Sequence, residues 1–464
     1  MSKTFASLSI PNYRIWFIGT TFAATAVWMQ RVAQDWVVLT DLTNKNATAV
    51  GIVTALQFLP QLFLSPYAGK VIDRLDRRRL IQFTQGAMAL IAMILSLLLY
   101  FEVAHLYHFY ILAFLGGLVQ TFDNPARQIF VNELVPPRSV PNAVALNSAS
   151  FNLARMIGPA VAGYTLAWMG SWLVFAVNAA LLLGPIIALA VMDQTEFHPA
   201  VHPKRGSGQI REGLRYIMAR RDIVAIMVVA SVVSCLGLNF QLTSAVMANV
   251  EFHRGSADFG LLGSVMAIGS LTGALVAARR AVPRVRTVVA AAFGFGVVEG
   301  IMALAPNYYV FAVLAVPLGF FALTMITSAN AAIQISCDPM VRGRVMSIYS
   351  MVFLGTVPVG APIIGWISEN WGARWGLGVG SIACLLVSGV VGMIVFRKWG
   401  IDLQMRSKAP FVEVVGPRDR YLGLHPEAVD QIRTISIEEA FARQQQAKDA
   451  KEIKQKAKKQ KKHR

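Results

Sequence analysis

Three features predict an all-α polytopic membrane protein, with twelve transmembrane helices in two pseudo-symmetric bundles of six. Of the 464 residues, 55% are hydrophobic and 15% charged, with a mean hydropathy of +0.52, whereas a soluble domain is nearer a quarter charged. Apolar stretches of about 20 residues, each long enough to cross about 30 Å of hydrocarbon, recur from Tyr13 to Phe396. They are continuously apolar, where a barrel strand would alternate every second residue over about ten residues, so helices are the spanning elements.

The predicted spans are 13–40, 47–69, 79–101, 107–127, 141–167, 171–193, 222–246, 258–278, 287–305, 308–335, 344–367 and 374–396. They divide the chain into a six-helix bundle over 1–193, a connector with an amphipathic helix over 194–221, a second bundle over 222–396 and a basic tail over 397–464. Residues 1–12 lack a short apolar core followed by a small-residue cleavage site. No removable signal peptide is therefore expected: the chain is taken to start at Met1, and the first helix to act as the insertion signal. Cys235, Cys337 and Cys384 lie in or beside apolar segments without paired spacing, which indicates small hydrophobes and no disulfide framework.

The net charge of +18 reports topology. With the N-terminus inside, the inner loops up to residue 396 hold 21 of the 43 Lys and Arg, the outer loops hold Lys45, Arg254 and Arg374, and the tail holds 17. Lys and Arg resist translocation, so this bias places both termini in the cytoplasm of a cell (inner) membrane. Nucleic-acid binding would need a basic patch on a soluble fold, and none is expected.

An internal step of about 202 residues takes Gly158, Pro159 and Gly163 onto Gly360, Ala361 and Gly365. Two related bundles around a midplane cavity can rock to expose it to alternate sides. In the connector, Ile210, Leu214, Ile217 and Met218 share a helical face, suited either to the inner leaflet or to a plain linker helix.

Between the second and third spans runs Gly69, Lys70, Val71, Ile72, Asp73, Arg74, Leu75, Asp76, Arg77, Arg78, Arg79. This resembles the major facilitator superfamily, whose loop here reads Gly, three residues, Asp, Arg, two residues, then basic residues; Asp76 stands where the common pattern has Gly. Trp28 to Arg31, Asn124 to Arg127, Asn142 to Asn152, and Arg342 to Arg344 are similar to the branch containing the enterobactin exporter and drug-efflux proteins. The resemblance covers about residues 10–396. It implies a latch in which Asp73 caps the start of the eleventh helix while Arg74 and Arg77 pair with Asp123. Arg155, Gly158, Pro159 and Gly163 look like the Gly-Pro motif of antiporters in this superfamily, with Ala162 departing from the full pattern.

A charge near the bilayer centre costs on the order of 3 kcal/mol, so intramembrane charges usually face a cavity or a partner. Arg31 and Asp35 are four residues apart on the first helix and share a face, where they can pair or line the cavity together. A carboxylate that loses its partner in one conformation takes a proton more readily. Asp35, with Arg31, is therefore the first candidate for proton coupling, and Glu299 the next; a static Arg31–Asp35 pair near the outer interface is the competing reading. Asn147, Asn152, Asn239 and Gln241 are candidate substrate contacts or interhelical hydrogen bonds. Trp28, Met29, Trp36, Phe58, Phe240 and Phe320 would suit amphipathic substrates where they face a cavity, and most such residues pack or face lipid.

The tail is read as solvated, with a helix from Ser436 running to Lys454 through Lys462. There is no phosphate loop ending in Gly-Lys-Ser/Thr and no His-Glu-x-x-His motif, so no cofactor, metal or enzymatic activity is expected and an ion gradient is the energy source. The reading is a monomeric, proton-coupled exporter of small amphipathic molecules, with substrate, protons and the lipid bilayer as its partners. An importer or facilitator on the same fold, and a membrane sensor or scaffold acting through its tail, are the alternatives.

Overall fold

The computed structural model describes residues 3–72, 74–198, 209–278, 285–337, 341–398, 402–405 and 412–415. The described residues up to Val391 form one compact unit. Its first half carries α1 (Pro11–Val37), α2 (Ala47–Ile72), α3 (Arg77–Tyr100), α4 (Leu106–Leu134), α5 (Val140–Met169) and α6 (Ser171–Val191). After the linker helix α7 (Gln209–Ala219), the seventh rod runs through α8 (Arg221–Val232), a π-helical turn at Val233–Gly237, α9 (Phe240–Val246) and a second π-turn at Met247–Glu251. Next come α10 (Ser256–Ala278), α11 (Val285–Ala303), α12 (Tyr308–Ser336), a rod made of α13 (Arg342–Gly355) and α14 (Val357–Asn370), and α15 (Ala373–Lys398). Alternation of the rods defines a linker face, where α6 ends and α8 starts, and a far face opposite.

Among the described residues, nine rods are both long and apolar enough to span a bilayer. The other three, α1, α4 and α5, have 27, 29 and 30 residues. They have the length but carry more polar residues, and these three enclose the cavity described below. Local signals set several boundaries. Pro11 starts α1 at a position where its missing N–H is no loss. Asp76 caps α3 by accepting from the Arg78 amide at 3.0 Å, which is what the departure from Gly at this position provides. Gly170, at φ +87°, separates α5 from α6 in a backbone conformation that a side chain would strain.

The two halves repeat each other beyond sequence. A π-turn at Val38–Leu42 follows α1 as Met247–Glu251 follows α9. The amide of Lys45 reaches the Leu39 carbonyl at 2.7 Å, and 209 residues on Arg254 reaches Ala248 at 2.7 Å. Asn44 and His253, also 209 apart, both turn through positive φ, at +46° and +52°.

On the linker face of the first half the core packs Tyr13, Trp16, Phe130 and Leu146, with the Trp16 and Phe130 rings edge-on at 5.0 Å. Ala23 and Ala26 of α1 and Ala89 and Ala92 of α3 pack with Ala179 and Leu182 of α6 in a second buried cluster, where small residues allow close helix approach. Trp168, Trp172, Trp366, Trp371 and Trp375 are exposed at the far-face helix ends, as an interfacial aromatic belt requires.

α7 docks on α13 through an ion pair of Glu212 with Arg344, while Leu214 and Met218 remain exposed. The described residues from Gly392 form a second unit, in which β1 (Asp402–Met405) and β2 (Val412–Val415) pair antiparallel. No strand was expected there; β1 alternates polar and apolar residues and three of the four residues of β2 are the strand-favouring Val. The helix expected from Ser436 lies outside the described residues.

Candidate transport cavity

A cavity of about 160 Å³ lies on the linker side of the first half, among α1, α4 and α5. α1 contributes Trp16, Thr20, Trp28 and Arg31; α4 contributes Gln120, Asn124, Arg127 and Gln128; α5 contributes Asn147, Ser150 and Phe151. On α4, Gln120, Asn124 and Gln128 are spaced four apart and so share one face. That row makes α4 more polar than most of the other rods.

Of the expected substrate contacts, Asn147 lines this cavity and the other three do not. Asn152 donates to the Ser148 carbonyl of its own helix at 2.8 Å, and Asn239 donates to the Cys235 carbonyl at 2.8 Å, across a π-turn whose loosened ladder leaves that acceptor available. Gln241 is half-buried on α9. The sequence reading missed Trp16, Thr20, Gln120, Gln128 and Ser150 as lining residues.

The ion pair that the Arg31–Asp35 spacing allows is not formed. The Arg31 guanidinium lies 5.2 Å from the ring centres of both Trp28 and Phe58, in cation–π contact. Asp35 is 7% exposed, near the far end of α1 and off the cavity. Glu299 is 2% exposed, inside the second half. Gly237 of the π-turn, Gly380 and Cys384 surround it, and its Oε2 has no hydrogen-bond partner.

The latch residues separate into two clusters. Fully buried Asp123 accepts from Thr84 Oγ1 at 2.7 Å and Gln85 Nε2 at 2.9 Å, and pairs with Arg127 Nε at 2.8 Å. The expected pairing of Asp123 with Arg74 and Arg77 is thereby corrected: Arg127 lies one turn away on the same helix and takes the carboxylate. Arg77 is buried against Glu133 instead, and Arg74 is exposed after α2, whose last turns carry Gly69. Asp73 lies outside the described residues.

The Gly-Pro segment of α5 serves two contacts. A methyl group at Gly158 would fall 2.7 Å from Trp28 Cβ, so this glycine seats α1. A methyl at Gly163 would fall 2.5 Å from the Ser256 carbonyl oxygen and 3.0 Å from Gly260 Cα, with Pro159 against Gly263 alongside, so the segment also seats α10 of the other half. The equivalent seam joins α14 to α2, where a methyl at Gly365 would fall 2.5 Å from the Ala47 carbonyl oxygen. Ser256 and Ala47 are each the first residue of their helix. Thr48 donates to Glu369, and Trp36 stacks on Phe259 at 5.6 Å. Both seams close the far face. Arg155 lies 5.9 Å from the Trp28 ring.

Two six-helix halves, closely packed at one face and with a polar cavity on the other side, are the architecture of a secondary membrane transporter. A family model for transmembrane secretion effectors matches residues 2–418, and the chain belongs to that family of the major facilitator superfamily. It is similar to the staphyloferrin A transporter of Staphylococcus aureus, 25% identical over 81% of this chain and 94% of the relative. It is also similar to the multidrug efflux pump Tap of Mycolicibacterium fortuitum, 27% identical over 80% and 92%. Among solved structures, a bacterial homologue of the human lysosomal transporter Spinster, in an inward-facing and unoccupied conformation, superposes with a TM-score of 0.64 at 14% identity over 83% of this chain and 97% of that one. A D-xylose–proton symporter gives 0.61 at 12% over 84% and 97%. The protein is thus a multi-pass membrane transporter of this superfamily and not an enzyme.

Proposed function

We propose that the protein is a proton-coupled exporter of small amphipathic molecules, monomeric in the cell membrane, with both termini in the cytoplasm. The observation that carries this reading is the polar, aromatic-walled cavity on the linker side beneath a closed far face. In this conformation substrate loads from the face that holds 21 loop Lys and Arg, the cytoplasmic one by charge bias. Export is supported by the efflux function in the name of the Tap relatives. Asp35 and Glu299 are the proton carriers: each is a carboxylate within a spanning rod, and neither is ion-paired to a described residue. Gly69, Asp73 and Arg74, with the Arg77–Glu133 pair, form the latch on the linker face.

The test is dye efflux from cells with and without a proton gradient, for the wild type, Asp35→Asn and Glu299→Gln at matched membrane abundance. Gradient-dependent efflux lost in either variant supports the reading and assigns the carrier. Efflux indifferent to the gradient, or gradient-dependent efflux intact in both variants, refutes proton coupling through these groups.

A further inference from the structure

We infer that the cavity binds amphipathic organic anions, holding a carboxylate against the lining residue Arg31, with Arg155, outside the lining, adding positive charge beside the same Trp28 ring. The inference rests on the transporter reading and adds the sign of charge that the cavity selects.

The Arg31 and Arg155 guanidinium carbons lie 5.2 and 5.9 Å from the centre of the one Trp28 ring. Two positive charges are therefore gathered on one indole within the membrane. Neither arginine forms an ion pair with a described residue. Asp35, the nearest carboxylate in sequence to Arg31, is buried away from the cavity. The other lining cation, Arg127, already has its counter-charge in Asp123 at 2.8 Å, and no carboxylate is among the lining residues.

Hydrogen-bonding capacity has the same bias. Trp16 Nε1, Trp28 Nε1 and Arg31 Nε are buried without a partner among the described residues. All three belong to lining residues and all three are donors. Uncompensated guanidinium charge is costly in a spanning segment, and a carboxylate is the partner that relieves it through short, charge-assisted and bidentate hydrogen bonds. An organic cation would instead meet two like charges and no acceptor carboxylate, an arrangement that rejects it. Trp16, Trp28 and Phe151 supply the apolar wall for the rest of the molecule.

The experiment uses three probes of one shape, 1-naphthoate, 1-naphthamide and 1-naphthylmethylammonium, titrated calorimetrically into the purified full-length protein in nanodiscs. The expected order is naphthoate first and ammonium last, with naphthoate about tenfold or more tighter than the amide, equal to about 1.4 kcal/mol. Arg31→Gln removes most of that preference, Arg155→Gln removes a smaller part, and Arg31→Lys retains part of it. Equal affinities, an ammonium-first order or no binding of naphthoate in the wild type overturn the inference, and that comparison needs no variant to fold. Proteoliposome counterflow with the same probes separates the two readings. Carboxylate-first binding without movement refutes transport and leaves the inference standing. Movement of the ammonium with no binding of naphthoate refutes the inference and leaves transport standing.

Discussion

Replacing Gly163 with alanine tests whether the α5–α10 seam closes the far face. The added methyl would lie 2.5 Å from the Ser256 carbonyl oxygen and 3.0 Å from Gly260 Cα. Both obstacles are backbone atoms that cannot rotate away, and ordinary contact is about 3.5 Å, so α10 must withdraw by about 1 Å. Overpacking of this kind costs about 1–3 kcal/mol. A conformation in which the seam has parted does not bear that cost, so the closed-to-open ratio falls by roughly 5- to 150-fold. The reporter is a cysteine in place of Ala47, fully buried at the neighbouring seam, in a chain whose Cys235, Cys337 and Cys384 are alanine. Its alkylation by a membrane-impermeant maleimide on intact cells tracks the time the far face is open. Gly163→Ala is expected to speed labelling about tenfold, and Gly365→Ala to do the same. A rate within about twofold of the parent, less than about 0.5 kcal/mol, at equal membrane abundance refutes the seam as the closing contact.

Asp123→Asn leaves Arg127 without its counter-charge and is expected to cost about 3–5 kcal/mol, read as a lower thermal midpoint in detergent; an unchanged midpoint would show that the cluster is not structural. Thr84→Val, which deletes one hydrogen bond to the same carboxylate, is expected to cost about 1–3 kcal/mol. Arg77 and Glu133 have side chains 8% and 17% exposed, and a double-mutant cycle on thermal stability is expected to give a coupling above about 1 kcal/mol; additive single effects would count against the pair. Asp76→Ala removes the cap of α3 at about 0.5–2 kcal/mol, measured as faster hydrogen exchange at the first-turn amides, with unaltered exchange as the contrary result.

The rods were legible because a bilayer demands long apolar segments, and each of the twelve predicted spans overlaps an observed rod. The duplication was legible as well, since Gly158 and Gly163 align with Gly360 and Gly365. Within the site, sequence spacing puts Arg31 and Asp35 on one face but cannot show that the arginine turns to Trp28 and Phe58. The partner of Asp123 was misassigned because a family pattern suggested a contact across a loop, while an arginine one turn along α4 was already in reach. The polar row Gln120, Asn124, Gln128 was a readable signal that pointed to the cavity wall. Asn239 shows the limit: an amide beside a π-turn satisfies its own backbone, and the sequence does not announce the turn.

Gly163 on α5 and Gly365 on α14 each bear on the carbonyl of the first residue of a helix in the opposite half. Because duplication has made the two seams alike, neither is a hinge about which the other swings. They act as locks set in parallel, so a tilt that frees one while leaving the other engaged strains the second backbone contact. On this arrangement the far face is expected to open on both sides together or stay shut, a leak through a single parted seam being discouraged by the matching contact on the other side.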